Sequence, residues 1–440
     1  MRRAPHVWTH PVQPRKPITF RPPLTNSFVV SIARHVLLPL ALRFHTKIEK
    51  IEIEEDGLRR LRALKGERVM LLPNHSEENE PYILFHLSKV LGDEFNYLTA
   101  QELFEKSRIQ GWFLQRAGAY SIVRGTADRA SFRVTRQLLA DGKRWLVAFP
   151  EGVAVGLGDL VMPFQAGVAQ LAFWACEDMA EDMAEDMAED MAKDGESRPI
   201  YLVPAAIKYL YLADMHKEIN ASLGRIEDKL LPKDGPAPEA LYERLARVGE
   251  AVLAANEKAR GVRPRSGASF NERVSHLREF LLSSVASALG ITFRTDQTLM
   301  ERIRILQNGV DQILYAEPAG SDYERELLLR RQAEVRELSE TVLQVRNFVA
   351  FDTSYLEEGL TTERFLDVLR LLEVEVFGSS RFRGPRKVVV SVGEPLNVRG
   401  YMLRYAEDRQ TILEEVTRRM EDSVKGMLAR LSLASRPLKE

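Results

Sequence analysis

The sequence predicts an α/β protein, with a mostly parallel sheet flanked by helices and a large α-helical insertion. From about residue 50 to residue 213, short apolar runs alternate with amphipathic stretches, which is the pattern of repeated βαβ units. From about residue 214 to residue 385, long charged amphipathic patterns typical of helices replace this alternation. In addition, short polar motifs follow the apolar runs, at the position where an open α/β sheet carries its chemistry.

The first part of the chain predicts five strands separated by helices. The strands are expected at the apolar runs 69–72, 97–100, 120–123, 145–149 and 200–203. Helices are expected over 82–91, 129–141 and from 167 onward. Pro81 falls in the opening turn of the first of these helices, where its missing amide proton is tolerated.

The second part predicts an interruption of the sheet by helices. Helical patterns cover 238–260, 270–289, 322–348 and 361–377, before a valine-rich strand at 387–392 and a final helix at about 408–431. The economical interpretation is an α/β domain made of residues 50–213 plus 386–440 and a helical insertion domain of residues 214–385. A separate C-terminal domain with its own small sheet is the alternative.

The tetrapeptide Glu-Asp-Met-Ala repeats four times from Glu177 to Ala192. A period of four residues is close to one helical turn, so the repeat predicts a surface helix that extends the preceding one. A partner-binding or cation-binding helix is the alternative. Like charges four residues apart repel each other, which favours the first interpretation.

Composition excludes some classes of protein. The chain has 440 residues and a formal net charge of −1, so its overall charge makes no case for nucleic acid as a partner. The single cysteine, Cys176, excludes an internal disulfide framework and suits a reducing cytosol. We therefore expect a cytoplasmic protein.

The first 49 residues form a basic, proline-rich N-terminal segment. No Asp or Glu occurs before Glu49, whereas the segment contains eight Lys and Arg residues. Such a segment is attracted to anionic lipid, and the mostly apolar stretch Phe28–Phe44 favours a helix lying in the interface of the cytoplasmic face of a membrane. A first helix docked on the core is the alternative. The many prolines before residue 24 argue against a transit peptide.

Four short motifs follow one another in the first half of the chain. They are Asn74-His75 with Glu80, Gly118 with Ser121 and Arg124, Phe149-Pro150-Glu151-Gly152, and Val203-Pro204. Each comes at the end of a predicted strand, and the ends of parallel strands meet at one edge of a sheet. We therefore expect the motifs to form one site.

The residue types in these motifs suit a base beside an anion site. A neutral histidine is the usual general base for a hydroxyl group, and a carboxylate such as Glu80 can hold the tautomer of His75. Arg124 at a strand end can bind a phosphate through two parallel hydrogen bonds. Gly152 lets the backbone beside Glu151 approach a ligand closely. Taken singly, each of these residues also has an ordinary structural interpretation.

Together, the motifs resemble those of the glycerolipid acyltransferase family, which includes the lysophosphatidic acid acyltransferases. The family pattern is Asn-His-x4-Asp, then Gly-x5-Arg, then Phe-Pro-Glu-Gly, then a hydrophobic strand with Val-Pro. Gly393-Glu-Pro395, after its valine-rich strand, also resembles the end of the family's last core strand. The resemblance covers about residues 65–213 and 386–398 and leaves the helical insertion without a counterpart.

The resemblance implies transfer of a fatty acyl group from a thioester of coenzyme A or acyl carrier protein to a hydroxyl of a glycerol-phosphate or lysophospholipid. His75 would be the general base, Glu80 would orient it, and Arg124 would bind the acceptor phosphate. The other motif residues would form the substrate-binding wall: Asn74, Gly118, Ser121, Phe149, Pro150, Glu151, Gly152, Val203 and Pro204. No metal, no cofactor besides the acyl thioester and no covalent acyl-enzyme is implied.

One residue departs from the family pattern, because Glu80 stands where the family usually has Asp. The longer carboxylate can reach an imidazole but caps a helix less well than Asp. Positioning errors of about 1 Å can cost on the order of a hundredfold in rate. Two alternatives therefore stay open: a non-catalytic lipid-binding or scaffold protein of the same fold, and acyl transfer to a non-glycerol lipid acceptor. The sequence makes no prediction of oligomeric state.

Overall fold

The computed structural model describes residues 19–438, except 124–127, 190–198, 233–239, 315, 317–319, 350–353, 358 and 382. Three parts of the sequence-based predictions lie outside these residues: positions 1–18 of the basic N-terminal segment, Arg124, and the end of the Glu-Asp-Met-Ala repeat.

One eight-stranded sheet organises the described part of the chain. Its order is β1-β7-β6-β2-β5-β3-β4, with β8 paired to β6. The run from β6 to β4 is parallel throughout, whereas β7 is antiparallel to β6 and parallel to β1. The strands are β1 Ile48–Ile53, β2 Arg68–Pro73, β3 Phe95–Ala100, β4 Ala119–Ile122, β5 Trp145–Val147, β6 Ile200–Tyr211, β7 Arg386–Val392 and β8 Leu396–Asn397. The predicted fold class is confirmed.

Helices flank this sheet and form the long insertion between β6 and β7. Those of the α/β part are Ser27–His45, which contains both α- and π-helical turns, and then Glu55–Ala63, Glu80–Leu91, Gln101–Glu105, Arg108–Arg116, Arg129–Asp141, Ala166–Glu189, Met402–Glu407 and Arg409–Ser432. Those of the insertion are His216–Leu230, Leu241–Arg260, Phe270–Leu289, Leu299–Leu314, Asp322–Val349, Ser354–Glu357 and Thr362–Phe377. Seven of the described helices are additions to the set that the sequence pattern predicts: Glu55–Ala63, Gln101–Glu105, Arg108–Arg116, His216–Leu230, Leu299–Leu314, Ser354–Glu357 and Met402–Glu407.

Strand β6 is much longer than the apolar run 200–203 predicts. Pro204 has no amide proton, and a proline normally interrupts a central strand. Here the neighbouring strand changes at that position, since Tyr201 and Leu202 pair with β8 and the residues from Ala205 onward pair with β7. The missing donor falls between the two ladders, so the strand continues. The expectation that Val203-Pro204 marks a strand end is therefore wrong.

The central strands are apolar without a break because both faces of the sheet are covered. Successive residues of β2 point to opposite faces, so Val69 and Leu71 join one hydrophobic cluster while Met70 and Leu72 join the other. All four side chains are at most 2% exposed. This layered packing fixes the direction in which each strand end presents its side chains.

The insertion has its own hydrophobic core, and that core includes part of the α/β domain. Val155, Leu157 and Met162 lie in the segment that follows the Phe149–Gly152 motif. They are packed in the same cluster as Leu366 and Leu369 of the insertion. The insertion therefore lies directly behind the loop that carries the motif. Strand β7, which follows the insertion in sequence, hydrogen-bonds within the main sheet.

A buried ionic cluster connects the insertion, the sheet and the C-terminal helix. Asp159 accepts hydrogen bonds from Lys208 of β6, from Arg364 of the insertion and from Ser432 of the C-terminal helix. Lys208 and Asp159 have side chains only 1% and 3% exposed. Burial by itself would raise the pKa of Asp159, but the attraction and hydrogen bond of Lys208, with the other two hydrogen bonds, hold that pKa below its ordinary value. Asp159 is therefore charged at neutral pH.

Candidate active site

The first motif leaves the sheet where β2 ends, at Pro73. The amide of Asn74 still donates to the carbonyl of Ala205, as a strand residue would. Its side chain then takes the place of the next strand residue in pairing with β6. Oδ1 accepts from the amide of Ile207 at 2.7 Å, and Nδ2 donates to the Ile207 carbonyl at 3.2 Å. Asn74 is fully buried. Its polar atoms therefore fix the direction of the chain just before His75.

The imidazole of His75 is held on two sides. Its Nδ1 lies 3.0 Å from Oε2 of Glu80, and its ring stacks on Phe149 with 4.3 Å between ring centroids. A carboxylate accepts hydrogen bonds, so Nδ1 carries the proton and Nε2 keeps its lone pair. The His75 side chain is 19% exposed, in contrast to the fully buried Glu80. The ring is thus fixed in the tautomer that a general base requires.

Glu80 is the centre of the loop between β2 and the helix Glu80–Leu91. Besides His75, its carboxylate accepts hydrogen bonds from the hydroxyl of Ser76, the amide of Glu77 and the hydroxyl of Tyr209. All three of these bonds reach Oε1, which leaves Oε2 to the imidazole. The longer side chain, where the family usually has Asp, therefore spans the loop and still reaches His75.

Glu151 supports His75 from the third motif, just after β5. Its Oε1 accepts the amide of His75 at 2.5 Å and its Oε2 accepts the amide of Met162 at 2.7 Å. Burial raises the pKa of Glu151 to about 7, and the nearby charge of Glu80 acts in the same direction, against the two amide hydrogen bonds. Glu151 is 0% exposed, so its role is to position the backbone of His75.

The rest of the Phe149–Gly152 motif forms the turn that presents Phe149 and Glu151. The amide of Gly152 donates to the carbonyl of Phe149, and the carbonyl of Pro150 accepts from the amide of Gln165. Gly152 has a φ of 73°, in the left-handed region that glycine adopts easily. The turn therefore places the Phe149 ring against the His75 imidazole and the Glu151 carboxylate against the His75 amide.

Two of the predicted substrate-binding residues lie inside the sheet. Val203 and Pro204 pair with Leu71 and Leu72 of β2 in the middle of β6. Val203 is fully buried, and the Pro204 carbonyl accepts from the amide of Gly393. Both residues therefore take part in the pairing of β2 with β6, and their role in substrate binding stays a prediction.

Gly118 and Ser121 also have structural partners. Ser121 Oγ accepts from the amide of Arg21 and the Ser121 amide donates to the Arg21 carbonyl, so Ser121 pairs with the N-terminal segment. The carbonyl of Gly118 accepts from the amide of Tyr97 and from Nδ2 of Asn96. Both residues lie on β4 or beside it, at the opposite side of β3 from the His75 loop. Arg124, the predicted phosphate ligand, lies outside the described residues.

Gly118→Ala is expected to lower the unfolding free energy for two reasons, backbone strain and a steric clash, and so by more than the strain alone would. Gly118 has a φ of 96°, and a Cβ there would lie 2.4 Å from the backbone carbonyl oxygen of Phe95. A left-handed conformation costs a non-glycine residue about 1–2 kcal/mol, and overpacking adds about 1–3 kcal/mol. The unfolding free energy is to be measured by urea titration.

Gly66→Ala is the matched control for this prediction. Gly66 has a φ of 86°, but no atom lies within 4 Å of the point that an added Cβ would occupy, so its substitution carries the strain without the clash. Equal losses of stability for the two variants would contradict the close approach of Gly118 to Phe95.

The site also contains residues that the sequence motifs do not mark. Tyr209 reaches Glu80 from the far half of β6, and burial, together with the negative charges of Glu80 and Glu77, raises its pKa well above the ordinary range. Arg386 of β7 pairs with Glu77 at 2.7 Å and stacks over the Tyr209 ring at 4.8 Å. The nearly continuous apolar run of residues 205–211, interrupted only by Lys208, is the sequence signal for the longer strand that carries Tyr209. No local signal marks Arg386.

The arrangement combines the buried carboxylate of Glu80, which orients the His75 imidazole, with the buried carboxylate of Glu151, which accepts a hydrogen bond from the His75 backbone amide. Such a His75 can take a proton at Nε2 and return it. In the part of the chain that the structure describes, no group of three or more His, Cys, Asp or Glu residues is placed to hold a metal ion.

Comparison with known proteins identifies one related family. Residues 50–208 match the family model described as Acyltransferase. The matched segment runs from β1 into β6 and therefore contains His75, Glu80 and the Phe149–Gly152 turn. A comparison with curated proteins finds no match.

Proposed function

Residues 50–208 form an acyltransferase-family domain, and from this premise we propose that the protein transfers a fatty acyl group to a hydroxyl of a glycerol-phosphate or lysophospholipid. The donor is an acyl thioester of coenzyme A or acyl carrier protein. The observation that carries the proposal is the contact of His75 Nδ1 with Glu80, at 3.0 Å, inside the matched domain. That contact leaves Nε2 as the acceptor for the hydroxyl proton.

The reaction needs only one proton carrier. The acceptor hydroxyl oxygen attacks the thioester carbonyl carbon while its proton passes to His75 Nε2. The carbon–sulfur bond then breaks, and the leaving thiolate takes the proton back from His75. The products are an ester and a free thiol, and His75 and Glu80 return to their starting states. In this scheme Glu80 and Glu151 keep the ring in one orientation throughout, and Arg124 binds the acceptor phosphate.

A position on the surface of an anionic membrane is part of the proposal. The helix Ser27–His45 is long and apolar enough to cross a membrane by length and composition, and 17% of its most apolar window is buried. Large apolar side chains project from it, with Phe28 74% and Phe44 64% exposed. Arg34 and Arg43 of this helix and Lys89 line a groove of about 540 Å³ whose lining has one acid, Glu49. Exposed apolar side chains beside a basic groove are what an interfacial helix needs for anionic lipid.

The test of the proposed reaction is an acyl-transfer assay with purified protein. Labelled acyl-coenzyme A and acyl carrier protein thioester are offered with glycerol 3-phosphate, lysophosphatidate and an unphosphorylated monoacylglycerol. We expect ester formation with a phosphorylated acceptor and release of one thiol per ester. Failure to acylate all three acceptors from both donors would overturn the proposal.

The membrane proposal has a separate test by co-sedimentation with lipid vesicles. Phe28→Ser/Phe44→Ser is expected to reduce binding to vesicles that contain phosphatidylglycerol, because it removes two exposed apolar anchors. Leu433→Ser is the control, since Leu433 is 85% exposed but lies at the end of the C-terminal helix. Equal binding by both variants, or no binding by the wild type, would contradict this orientation.

A further inference from the structure

A cavity of about 520 Å³ lies between the helical insertion and the loops of the candidate active site. One wall comes from Ser76 and Glu77, next to His75, and from Val155 and Gly156, which follow the Glu151 turn. The opposite wall comes from the insertion. Its volume is within the range of about 300–1,000 Å³ that is usual for small-molecule sites. The cavity is therefore large enough for a ligand and lies beside the proposed base.

Three arginines that line this cavity have a buried Nε–H without an acceptor in the described part of the chain. They are Arg336, Arg370 and Arg386. A buried donor without a partner costs on the order of 1–3 kcal/mol. Arginines outside the cavity also have such an Nε–H, so these groups support a ligand site only together with the shape and the other contacts of the cavity. Arg386 pairs with Glu77, and Arg370 donates to the Gly156 carbonyl through Nη2. Among the described residues, the Arg336 side chain has no hydrogen bond or ion pair at all.

Of these three arginines, Arg386 is paired with an acid and Arg370 lies near acidic charge, whereas Arg336 has no acidic partner among the described residues. Glu77 is paired with Arg386. Asp367 accepts from the Gly158 amide and the Tyr355 hydroxyl, and burial raises its pKa to about 7.

The remaining lining acids are Glu78, Glu340 and Glu375. Glu340 lies one helical turn from Arg336, but the structure contains no ion pair between these two described residues, and burial together with Glu337 raises the pKa of Glu340. Glu375 accepts a hydrogen bond from Gln344, and Glu78 is exposed. Arg336 and Arg381 therefore keep their guanidinium groups available to a ligand.

The same cavity has an apolar part. Leu343, Leu371 and Val374 of the insertion line it, together with Val155. Guanidinium groups bind phosphate oxygens through paired hydrogen bonds, and aliphatic side chains bind a hydrocarbon chain. The lining therefore fits a ligand that has a phosphate group at one end and a carbon chain attached to it.

We propose that this cavity, between the insertion and the His75 loop, binds the phosphate-bearing end of a substrate through Arg336, Arg370 and Arg381. The inference rests on the proposed function and assigns the insertion a substrate-binding role within it. Two substrates share this chemistry. One is the phosphopantetheine arm of the acyl donor, which leaves the acceptor phosphate to Arg124. The other is a lysophospholipid acceptor, whose phosphate these arginines would then bind in place of Arg124.

The test is equilibrium binding by calorimetry, with lysophosphatidate below its micelle concentration and coenzyme A as separate probes. Arg336→Gln and Arg381→Gln are each expected to lower the affinity for one of the two probes by about tenfold or more, because each removes charge-assisted hydrogen bonds to its phosphate. The probe that loses affinity identifies the source of the phosphate. Neither residue has a hydrogen-bond partner in the described chain, so neither substitution breaks a structural contact.

Arg330→Gln is the matched control on the same helix as Arg336. Arg330 is 73% exposed, pairs with Glu326 on the surface and lies outside the cavity lining. Unchanged affinity of both probes in the Arg336 and Arg381 variants, or no binding of either probe to the wild type, would overturn the inference.

The result is separable from the fate of the proposed function. His75→Ala is expected to retain binding while losing acyl transfer. If acyl transfer is lost in His75→Ala but both transfer and probe affinity are unchanged in the arginine variants, this inference is wrong and the proposed function stands. Arginine-dependent binding without any acyl transfer would remove the function and leave the phosphate pocket.

Discussion

His75→Ala is expected to lower kcat for acyl transfer by a factor of about 10²–10⁴, the usual contribution of a general base. The substitution removes the ring that Glu80 and Phe149 orient, and no other histidine lies in the described site to replace it. KM for both substrates is expected to change little, because Nε2 contacts the proton in transit and not the phosphate or the acyl chain. Steady-state kinetics with saturating donor and acceptor measure the two parameters separately.

His216→Ala is the matched control for the loss of a histidine. His216 also places Nδ1 against a carboxylate, that of Asp214, but it is 39% exposed at the start of the insertion, where no motif residue lies. Its substitution is expected to leave kcat unchanged. If His75→Ala keeps wild-type kcat, the role of His75 as the base is wrong.

Asp159→Ala is expected to cost about 3–5 kcal/mol of unfolding free energy, the typical loss on breaking a buried ion pair on one side. The substitution leaves the Lys208 ammonium, only 1% exposed, without its paired carboxylate. It also removes the acceptor for Arg364 and Ser432, so the insertion and the C-terminal helix lose a common anchor. Urea unfolding at neutral pH gives the change in free energy.

The pH dependence of this contribution has a defined sign. Because the pKa of Asp159 in the folded protein is below its ordinary value of 3.8, the carboxylate stabilises the fold above that pH. The contribution is lost as the pH falls through the lower folded value. The stability difference between wild type and Asp159→Ala is therefore expected to be constant near neutral pH and to shrink only in strong acid.

Two further variants show whether burial is the cause. Asp178→Ala breaks the ion pair between Asp178, which is 29% exposed, and Arg136, which is 36% exposed. It is expected to cost no more than about 1 kcal/mol of unfolding free energy. Asp159→Ala/Lys208→Met removes both buried charges and is expected to recover part of the loss. If Asp159→Ala loses as little unfolding free energy as Asp178→Ala, the buried ionic cluster does not stabilise the contact between the insertion, the sheet and the C-terminal helix.

The motifs located the centre of the site but not the function of every residue in them. His75, Glu80, Phe149 and Glu151 do meet in the structure. The contacts that the structure shows for Gly118, Ser121, Val203 and Pro204 are backbone hydrogen bonds and strand pairing, and their role in substrate binding stays a prediction. A sequence pattern records that a residue type is needed at a position. It does not distinguish a residue that contacts a ligand from one that holds a strand in place.

By itself, the sequence determined the class of fold, about half of the helix positions and the pair His75 and Glu80. Those features depend on local periodicity and on residues close together in the chain, whose chemistry a pattern shows directly. Only the tertiary structure decided that β6 continues past Pro204, that Tyr209 and Arg386 reach the His75 loop, and that the insertion forms a wall of a cavity beside it. These features depend on contacts between residues far apart in sequence, and such contacts are fixed by how strands and helices pack.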